Sequence, residues 1–598
     1  MCGIAGVVDP AGGAVDPAEL ERVADRLVHR GPDGRGRVAR PGAGLVATRL
    51  RIVDPLGGAQ PVTNEDGTIH AVFNGELYDH GTLRAALVAR GHWVRSRGDT
   101  ELLVHLYEEH GDALVERLHG IFALAIWDGR RRRLLLARDR FGVKPLFHRW
   151  VEGRFRFASE LGALLAVGPR PAIDRAALAA YRTFGAVTAP ASGWEGVAAL
   201  PPGHRLTLAD GRARVERWAP EPPPPDRAPD AASLRAALDE AIDLQARADV
   251  PVGVLLSGGV DSSAIAARLA AKSSAPVRTF TGSFPGAGDL DEGRAAAAFA
   301  AAIGAEHVSV PVGPDHARTA ACLLARSGRW LGDPSFVALA AVAAAAKRSV
   351  RVLLSGTGAD ELFGGYRRYG TLPAAIALGE RPRLRRLLTA IAARVPGGRE
   401  RRLGAFGLRV KRWLAAASPD AAAAYLAAVR LEPRDDAPFR ARFDALGPDP
   451  LEAARRIDLE RYLPDDLLAK DDGATMAHGV EARVPFLDDA VAEAALRVPA
   501  RRHATALATK RVLRAALRGR LPARVLARPK RGFAAPIDAW LRGPLRSWAE
   551  ERLRDPSAAE LFAPGEIDEA IAALDARAPD AGHRLWAKVA LVSATKGA

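Results

Sequence analysis

The stretch Val252-Gly253-Val254-Leu255-Leu256-Ser257-Gly258-Gly259-Val260-Asp261-Ser262-Ser263 determines how the rest of the chain is interpreted. Its apolar run predicts a buried strand, its Ser-Gly-Gly segment a tight turn, and residues 264–271 a helix. Glycines let the backbone approach a ligand, while free N–H groups and the helix dipole favour an anion. The stretch therefore predicts a phosphate-binding loop rather than an ordinary strand-to-helix turn.

This loop differs from the Walker A type of phosphate-binding loop. It lacks the G-x-x-x-x-G-K-S/T pattern, and no Gly-Lys pair occurs anywhere in the chain. No lysine is therefore placed on the terminal phosphates. Carboxylate oxygens are ligands that Mg²⁺ prefers, and we expect Asp261 to hold Mg²⁺ on a pyrophosphate group.

Composition and length describe a globular protein of several domains. At 598 residues the chain is too long for one core, which predicts two or three domains. No apolar run reaches about 18 residues, and the N-terminus has no signal-peptide pattern, so we expect no membrane association. Cys2 and Cys322 are the two cysteines, which suits a reducing cytoplasm.

The net charge of +15 raises the possibility of a nucleic-acid partner. Arginines cluster at residues 130–133 and 399–402, but aromatic residues make up only 6% and do not alternate with them. Platforms for stacking bases are therefore not visible. We expect solvated arginines and no nucleic-acid partner, with part of the charge serving anionic substrates.

A second set of chemical signals begins at the N-terminus. Residues 3–9 predict a strand that starts almost at the first residue. Removal of Met1 would give Cys2 a free α-amine, which titrates near about pH 8 and can take the thiol proton directly or through water. Cys2 would then supply both nucleophile and base without a histidine.

Four short motifs follow Cys2 in the sequence. They are His29-Arg30-Gly31-Pro32-Asp33, Arg49 with Ile52-Val53-Asp54, Asn74-Gly75-Glu76-Leu77-Tyr78, and Gly98-Asp99-Thr100-Glu101. Each resembles a segment of the class II glutamine amidotransferase domain, an N-terminal-nucleophile hydrolase with an αββα fold. Residues 257–263 resemble the pyrophosphate loop of ATP pyrophosphatases. With both sets of motifs, the chain is similar to glutamine-hydrolysing asparagine synthetases over about residues 1–205 and 250–545.

The resemblance implies a role for each residue of a glutaminase site. Cys2 would attack the glutamine amide, with the Asn74 side chain and the Gly75 N–H forming the oxyanion hole. Arg49 would pair with the α-carboxylate, and Glu76 and Asp99 would bind the α-ammonium. The predicted glutamine-binding residues are Arg49, Arg51, Ile52, Val53, Asn74, Glu76 and Asp99.

A second strand, glycine turn and acidic helix start occur in Val352-Leu353-Leu354-Ser355-Gly356-Thr357-Gly358-Ala359-Asp360-Glu361. The resemblance implies that Asp360 joins Asp261 in holding Mg²⁺, and that Lys530 neutralises charge on the α-phosphate during adenylation. The implied cofactors are ATP and Mg²⁺. The predicted ATP-binding residues are Leu256, Ser257, Gly258, Gly259, Asp261, Ser262, Ser263, Gly282, Ser355 and Gly356.

The chain departs from the family pattern at several positions. Thr48 stands where a histidine often precedes the arginine, Asp79 where asparagine is usual, and Gly473 where arginine is usual. Thr357 stands where glutamate or aspartate is common, near the acyl-adenylate. A threonine cannot act as a carboxylate base, so the identity of the acceptor acid stays open.

These signals predict a fold of the α+β and α/β classes. Residues 1–215 would form the αββα sandwich, the proline-rich residues 216–230 a linker, and residues 231–598 a parallel-sheet nucleotide-binding domain with a helical C-terminal part. Predicted strands at 278–281, 307–310 and 352–354 alternate with helices, which favours ligands at the carboxyl ends of the strands. Residues 371–448 are helix-rich and carry no motif that we recognise.

Two weaker signals are discounted. His105 and His110 lie five apart on a predicted surface helix, about 140° apart around its axis, and cannot share a metal. No C-x-x-C or H-E-x-x-H pair occurs, and we predict no zinc. Cys322 lies in an alanine- and leucine-rich helix and is expected to be packed in the interior.

The leading hypothesis is ATP-dependent amidation of aspartate with ammonia from glutamine, through an acyl-adenylate. One alternative is the same chemistry on a different carboxylic acid in secondary metabolism, which Thr357 motivates. Another is a catalytically silent glutamine- or nucleotide-sensing protein, although the presence of Cys2, Asn74, Asp261, Asp360 and Lys530 argues against it. The expected partners are small-molecule substrates, with a homodimer possible.

Overall fold

A computed structural model describes residues 2–228, 230–285, 292–394, 402–434, 436–529 and 535–597, with backbone alone for residues 402–406 and 408. Lys530 and most of the acidic segment 289–292 lie outside the described residues. Among the described residues, no helix is both long and apolar enough to cross a membrane.

Two six-stranded antiparallel sheets make up the N-terminal part of the chain. Their strands are β1 (Cys2–Val8), β2 (Gly34–Arg40), β3 (Ala43–Arg49), β4 (Val62–Thr63), β5 (Ile69–Leu77), β6 (Gly120–Asp128), β7 (Arg133–Arg138), β8 (Phe147–Val151), β9 (Arg154–Ala158), β10 (Val197–Ala199), β11 (His204–Ala209) and β12 (Arg212–Arg217). The first sheet has the order β10-β8-β9-β1-β3-β2, and the second has the order β12-β11-β7-β6-β5-β4.

A buried apolar layer joins the two sheets. It includes Ile4 of β1, Val72 of β5 and Leu136 of β7, each fully or almost fully buried. Helices Pro17–Leu27 and Leu161–Leu165 contact the first sheet, and helix Leu102–His110 packs on the second. The remaining helical segments here are His80–Ala89, Gly111–Arg117 and Arg175–Phe184. The predicted αββα sandwich is confirmed.

The second half of the chain contains a five-stranded parallel sheet. Its strands are β13 (Val252–Leu255), β14 (Arg278–Ser283), β15 (Glu306–Pro311), β16 (Val352–Leu354) and β17 (Glu481–Arg483). The order is β15-β14-β13-β16-β17. From the central strand β13 the chain first adds β14 and β15 on one side, and then adds β16 and β17 on the other. Ligands of open parallel sheets bind at such a switch point, beyond the carboxyl ends of the strands. The loop after β13 therefore stands at the expected place.

Helices cover this sheet and form the C-terminal part. Those before residue 400 are Ala231–Gln245, Val260–Lys272, Gly293–Ala302, Pro314–Ser327, Ser335–Ala346, Ala359–Phe363, Arg367–Gly379 and Pro382–Ala393. Those after it are Arg402–Ala416, Ala421–Val429, Ala437–Ala445, Pro450–Ile457, Asp458–Leu468, Ala469–Met476, Pro485–Leu487, Asp489–Leu496, Ala500–His503, Arg511–Ala516, Ala523–Leu526, Ile537–Arg542, Arg546–Leu553, Pro556–Glu560, Glu566–Asp575 and Ala581–Gly597. The predicted parallel sheet with a helical C-terminal part is confirmed.

Two predictions about single residues are wrong. Cys322 is exposed, because helix Pro314–Ser327 buries Ala317, Ala320, Ala321 and Leu324 and leaves position 322 on the outer face. His105 is buried on helix Leu102–His110, which packs most of its length against β5 instead of facing solvent. Both residues lie on helices, as the sequence predicts, but the sequence does not correctly predict which face of each helix is buried.

Candidate active sites

The first candidate site forms where β1, β3 and β5 meet. In the ladder between β1 and β3, Cys2 lies directly opposite Arg49. The nitrogen of Cys2 lies 3.2 Å from Asn74 Oδ1 on β5, which brings the three predicted residues together. Burial raises the pKa of the Cys2 thiol, so a base is needed to generate the thiolate at neutral pH.

The two polar atoms of the Asn74 side chain differ in their hydrogen bonding. Its Oδ1 faces the Cys2 nitrogen, whereas its Nδ2 is buried without a hydrogen-bond partner among the described residues. A buried donor without a partner is costly unless a ligand completes it. Gly75 follows on β5 and lies so close to the backbone of Ile121 and Phe122 that a Cβ there would clash. The Asn74 Nδ2 group fits a donor to an oxyanion, and the close approach of the neighbouring strand requires a glycine at position 75.

The guanidinium of Arg49 is held by backbone carbonyls. Its Nη2 donates to Asp54 O at 2.5 Å and Val53 O at 3.3 Å, and Nη1 donates to Pro55 O at 3.4 Å. Ile52 is buried against residues of the second domain, whereas the Arg51 side chain is exposed. Of the predicted motif, Val53 and Asp54 contact Arg49 directly through their backbone carbonyls.

The two predicted acidic ligands have different surroundings. Asp99 Oδ2 accepts a hydrogen bond of 3.1 Å from Leu77 N, and burial raises the pKa of its carboxyl. Glu76 instead pairs across the domain boundary with Arg483, with 3.1 Å between Oε2 and Nη2. Burial raises the pKa of Glu76 well above its usual value, although Arg483 opposes this shift. Glu76 is thus tied to the second domain in this structure.

Gln60 is a site residue that sequence analysis missed. Its Nε2 donates to Cys2 Sγ at 3.3 Å and to Thr100 Oγ1 at 3.2 Å, while its Oε1 accepts from Phe73 N at 2.7 Å. These bonds fix the amide beside the thiol. No signal in the sequence distinguished Gln60, because a lone glutamine in a loop carries no recognisable pattern.

The second candidate site forms around the loop after β13. Ser257 N and Oγ each lie 3.1 Å from Ser262 Oγ, and Gly259 N donates to Ser257 Oγ at 3.2 Å. Helix Val260–Lys272 begins directly after this turn, so its N-terminus points at the loop. Gly258 has a φ of +68°, a left-handed conformation that favours glycine. Leu256 and Ser263 are buried and hold the loop in place.

Asp261 and Asp360 converge on one cationic side chain. Lys510 Nζ lies 2.5 Å from Asp261 Oδ2 and 2.6 Å from Asp360 Oδ1. The other oxygen of Asp261, Oδ1, is buried without a hydrogen-bond partner among the described residues. Two carboxylates around one positive charge fit a divalent cation bound by oxygen ligands. Lys510 was not predicted at this position.

The turn after β16 lies against the same loop. A Cβ on Gly356 would stand 2.8 Å from the Cβ of Asp261, so only a glycine permits this approach. Ser355 N donates to Arg483 O at 2.8 Å. Gly282 lies on β14, two residues beyond the last partner that β14 finds on β13. The predicted nucleotide residues thus lie at one edge of the sheet.

The predicted lysine of this site, Lys530, is outside the described residues. The nearest described part of its motif is Arg528, whose Nη1 donates to Gly258 O at 3.2 Å. The Arg528 side chain therefore reaches the phosphate-binding loop. The role of Lys530 stays a prediction.

Buried charges join the two sites. Arg30 of the first domain donates to Asp472 Oδ2 at 2.8 Å and to Glu160 Oε1 at 2.9 Å. Lys144 Nζ lies 3.5 Å from Asp472 Oδ1, and all of these side chains are almost fully buried. Breaking one member of such a network leaves an unpaired buried charge, which is strongly destabilising. These contacts therefore join the N-terminal sheets to helix Ala469–Met476 through buried charges.

Two family profiles match nearly all of this chain. One, described as glutamine amidotransferase domain, covers residues 1–219, and the other, described as asparagine synthase, covers residues 233–595. The chain belongs to the glutamine-hydrolysing asparagine synthetase family. It is therefore an enzyme of the ligase class that carries an amidotransferase domain.

Relatives of this family align over almost the full length. Glutamine-hydrolysing asparagine synthetase 1 of Bacillus subtilis is 31% identical over 581 residues, covering 93% of this chain and 90% of that protein. A putative asparagine synthetase of Mycobacterium bovis is 34% identical over 630 residues, covering 98% and 95%. Among solved structures, a B. subtilis glutamine phosphoribosylpyrophosphate amidotransferase is 17% identical, covers 52% of this chain and 65% of that one, and has a TM-score of 0.29.

Two of the departures from the family pattern have local structural explanations. Thr48 is buried beside β1, where its Oγ1 accepts from Gly3 N at 3.2 Å and donates to Leu27 O at 2.9 Å. The hydroxyl therefore ties β1 to the end of helix Pro17–Leu27. Thr357 is hydrogen-bonded through its hydroxyl to Asp471 Oδ2 at 2.5 Å. Nothing in the structure explains Asp79 or Gly473.

Proposed function

We propose that this enzyme converts aspartate to asparagine with ATP and with ammonia released from glutamine. AMP and pyrophosphate would be the other products, because the carboxylate is activated as an acyl-adenylate. The observation that carries the proposal is the convergence of Asp261 and Asp360 on one cation beside the Ser257–Gly259 turn, in a chain that also sets Cys2 opposite Arg49.

The glutaminase step uses the groups around Cys2. Once Met1 is removed, the α-amine of Cys2 takes the thiol proton, and the thiolate attacks the glutamine amide carbon. Asn74 Nδ2 and the Gly75 N–H donate to the oxyanion, and ammonia leaves as the thioester forms. Water then releases glutamate. The unpartnered Asn74 Nδ2 supports this role, since it is a donor already in place.

Substrate orientation at this site is assigned to charged residues. Arg49 would pair with the glutamine α-carboxylate, and the loop carbonyls that hold its guanidinium fix its direction. Asp99 would accept the α-ammonium. Glu76 would also bind the α-ammonium. Because Glu76 pairs with Arg483, bound glutamine would be connected to the second domain through this salt bridge.

The synthetase step uses the edge of the parallel sheet. Residues 257–263 would bind the phosphates of ATP through backbone N–H groups, and Ser355, Gly356 and Gly282 would contact the rest of the nucleotide. Asp261 and Asp360 would hold Mg²⁺, which supplies charge neutralisation on the pyrophosphate. Lys510 already lies between these carboxylates and keeps them from repelling each other in the free enzyme. Lys530 would neutralise the α-phosphate.

The same machinery acting on another carboxylic acid is the second candidate. Thr357, at a position that is commonly acidic in the family, favours it. We also propose that residues 1–215 form the amidotransferase domain, residues 216–230 a linker and residues 231–598 the synthetase domain, and that the enzyme is cytoplasmic and forms a homodimer. A silent sensor is disfavoured by the convergence of the charged groups described above.

The test is release of AMP and pyrophosphate by the purified enzyme. It is incubated with Mg·ATP and glutamine, with and without aspartate, and the products are identified by mass spectrometry. Aspartate-dependent AMP together with asparagine supports the proposal. Glutamate formation without aspartate-dependent AMP would reject aspartate as acceptor and retain the glutaminase site.

A further inference from the structure

The side chain of Thr357 is in contact with a carboxylate that the family pattern does not assign. Thr357 follows β16, and its Oγ1 donates to Asp471 Oδ2 at 2.5 Å. Ser355 Oγ lies 2.8 Å from Thr357 Oγ1 and 3.4 Å from the same Asp471 oxygen. A carboxylate thus lies one hydrogen bond away from the position where the family commonly places one.

Asp471 differs from its neighbours in how its charge is balanced. Lys470 pairs with Asp333 at 3.0 Å, and Asp472 pairs with Arg30 at 2.8 Å. Asp471 is 5% exposed and makes no salt bridge with another described residue. Its carboxylate accepts hydrogen bonds from two neutral hydroxyls, those of Thr357 and Ser355, and Lys470 acts on its charge without forming a salt bridge to it. A buried carboxylate without a direct salt bridge is expensive and is typical of a functional site.

Helix Ala469–Met476 holds Asp471 at the edge of the sheet. This helix packs on helix Ser335–Ala346 and on β17, which is the neighbour of β16. The carboxylate therefore contacts the turn after β16 through the hydroxyls of Ser355 and Thr357. Since the Thr357 hydroxyl donates its proton to Asp471, its lone pairs are available to accept a proton from a bound molecule.

We propose that Asp471 and Thr357 act as a pair that replaces the usual carboxylate in the amide-forming step. The inference rests on the proposed function. As ammonia attacks the acyl-adenylate, the new C–N bond forms and Thr357 Oγ1 accepts a proton from nitrogen while passing its own to Asp471. The C–O bond to phosphate then breaks, and AMP leaves with the electron pair. Asp471 acts through Thr357 and is a positioning residue.

The test separates adenylation from amide formation. Asp471→Asn should still form the acyl-adenylate, measured as acceptor-dependent pyrophosphate release in a single turnover. Its ammonia-dependent amide formation should fall by about 10²-fold, as expected for loss of base assistance. Glutaminase activity should be unchanged. Asp315→Asn, which alters an exposed aspartate on helix Pro314–Ser327, is the matched control and should behave as the wild type.

A second variant distinguishes chemistry from structure. Thr357→Glu combined with Asp471→Asn returns the carboxylate to position 357 and should recover much of the amide formation. Equal loss of adenylation and amide formation in Asp471→Asn, or no recovery in the double variant, would overturn the pair. If wild-type enzyme forms no amide from any acceptor supplied, the proposed function fails before the variants are compared.

A different region carries an independent inference about a metal ion. Ligand atoms of Glu65, His92 and His105 all lie within 4.8 Å of one another on the glutaminase domain. Glu108 Oε2 stands between the histidines, 3.3 Å from His105 Nδ1 and 3.6 Å from His92 Nδ1, and Glu65 Oε2 is 3.7 Å from His105 Nδ1. Ligands about 2.0–2.2 Å from a tetrahedral zinc are separated by about 3.3–3.6 Å.

Outer contacts also suit a metal site. His92 Nε2 lies 3.2 Å from Glu109 Oε1, which would fix the ring with Nδ1 toward the metal, and Asn64 Nδ2 donates to Glu108 Oε1 at 2.8 Å. The ligands come from a loop, from the segment after helix His80–Ala89 and from helix Leu102–His110, so no contiguous motif reveals them. We infer a site for Zn²⁺ or a similar divalent transition metal that joins these three segments, in contrast to the absence of zinc that the sequence motifs predict.

This site is tested by zinc binding to chelator-treated enzyme. The Cys2→Ala variant is the background, since it removes a competing thiol. We expect one Zn²⁺ per chain by calorimetry, a rise in Tm, and an intense tetrahedral spectrum with Co²⁺. His92→Ala should lose all three, while His110→Ala, which changes the last residue of helix Leu102–His110 and none of the proposed ligands, should keep them. Absence of stoichiometric binding, or equal binding by His92→Ala, would overturn the site.

Discussion

Around Cys2, the candidate residues lie on adjacent strands of one sandwich, whereas around Asp261 they come from loops and helices far apart in sequence. Cys2 and Arg49 are ladder partners, and Asn74 lies on a nearby strand. Lys510 reaches Asp261 across 249 residues of chain. The first centre is fixed by strand register, and the second depends on packing of the whole C-terminal part.

The electrostatics of the two centres differ as well. The first contains a buried donor, Asn74 Nδ2, that has no partner in the described part of the chain, which suits a substrate amide that becomes negative only during reaction. In the second, one lysine, Lys510, is shared by two carboxylates, which leaves a net negative charge that suits a substrate bound together with a divalent cation. We therefore expect the two centres to carry out separable reactions, so that variants in one spare the reaction of the other.

Substitution of the nucleophile gives the largest expected effect. Cys2→Ala should lower glutaminase and glutamine-dependent synthesis by about 10⁴-fold or more, because no other group can form the thioester. Synthesis with added ammonia should be unchanged, which a coupled AMP assay measures. Cys322→Ala, which changes the exposed cysteine, is the control. Equal loss of both activities in Cys2→Ala would show that the two centres do not act separately.

The reverse experiment acts on the second centre. Asp360→Asn should lower aspartate-dependent AMP formation by about 10³-fold, because one of two carboxylates around the cation is lost. Glutamate formation in the absence of ATP should stay at the wild-type rate. The exposed Asp489→Asn serves as control. An AMP rate close to that of the wild type would exclude Asp360 as a metal ligand.

The oxyanion hole should contribute less than the nucleophile. Asn74→Ala should lower the kcat of glutaminase by about 10²-fold, since one of two donors to the oxyanion is removed. The KM for glutamine should change much less than kcat. A KM effect without a kcat effect would assign Asn74 to substrate binding alone. Steady-state kinetics with glutamine separates the two outcomes.

The smallest effect concerns the buried charges between the centres. Burial opposes ionisation of Glu160, but His29 and Arg30 outweigh it and hold the pKa of Glu160 well below its usual value. The ionised Glu160 carboxylate therefore contributes its full stabilisation of the fold at pH values above about 4.3, the pKa of glutamate in the unfolded chain. This contribution is lost progressively as the pH falls below that value. In Glu160→Gln, Arg30 would still form its salt bridge with Asp472. We therefore expect the substitution to lower the free energy of unfolding by about 2 kcal/mol at neutral pH, which is less than the loss of an isolated buried pair.

Denaturant unfolding between neutral and acidic pH measures this effect. The difference in free energy of unfolding between wild type and Glu160→Gln should shrink as pH falls. Glu21→Gln, which removes a half-exposed partner of Arg35, should cost only about 0.5 kcal/mol. A difference that grows on acidification would contradict the lowered pKa of Glu160.

Much of this molecule could be predicted where function depends on local sequence. Glycine turns after apolar runs placed the loop after β13 and the turn after β16, and the order of short motifs identified the sandwich. Contacts between distant segments could not be predicted. The bond between Thr357 and Asp471 joins residues 114 apart, and the pair of Glu76 with Arg483 crosses the domain boundary. Neither partner alone carries a pattern that points to the other.

In the proposed reaction, two separate centres complete one amidation. Glutamine labelled with ¹⁵N in its amide is supplied together with Mg·ATP, aspartate and unlabelled ammonium, and the products are followed by mass spectrometry. We expect ¹⁵N-labelled asparagine with one AMP formed per asparagine. Labelled ammonia released into solution with neither labelled asparagine nor aspartate-dependent AMP would contradict the two-centre reaction.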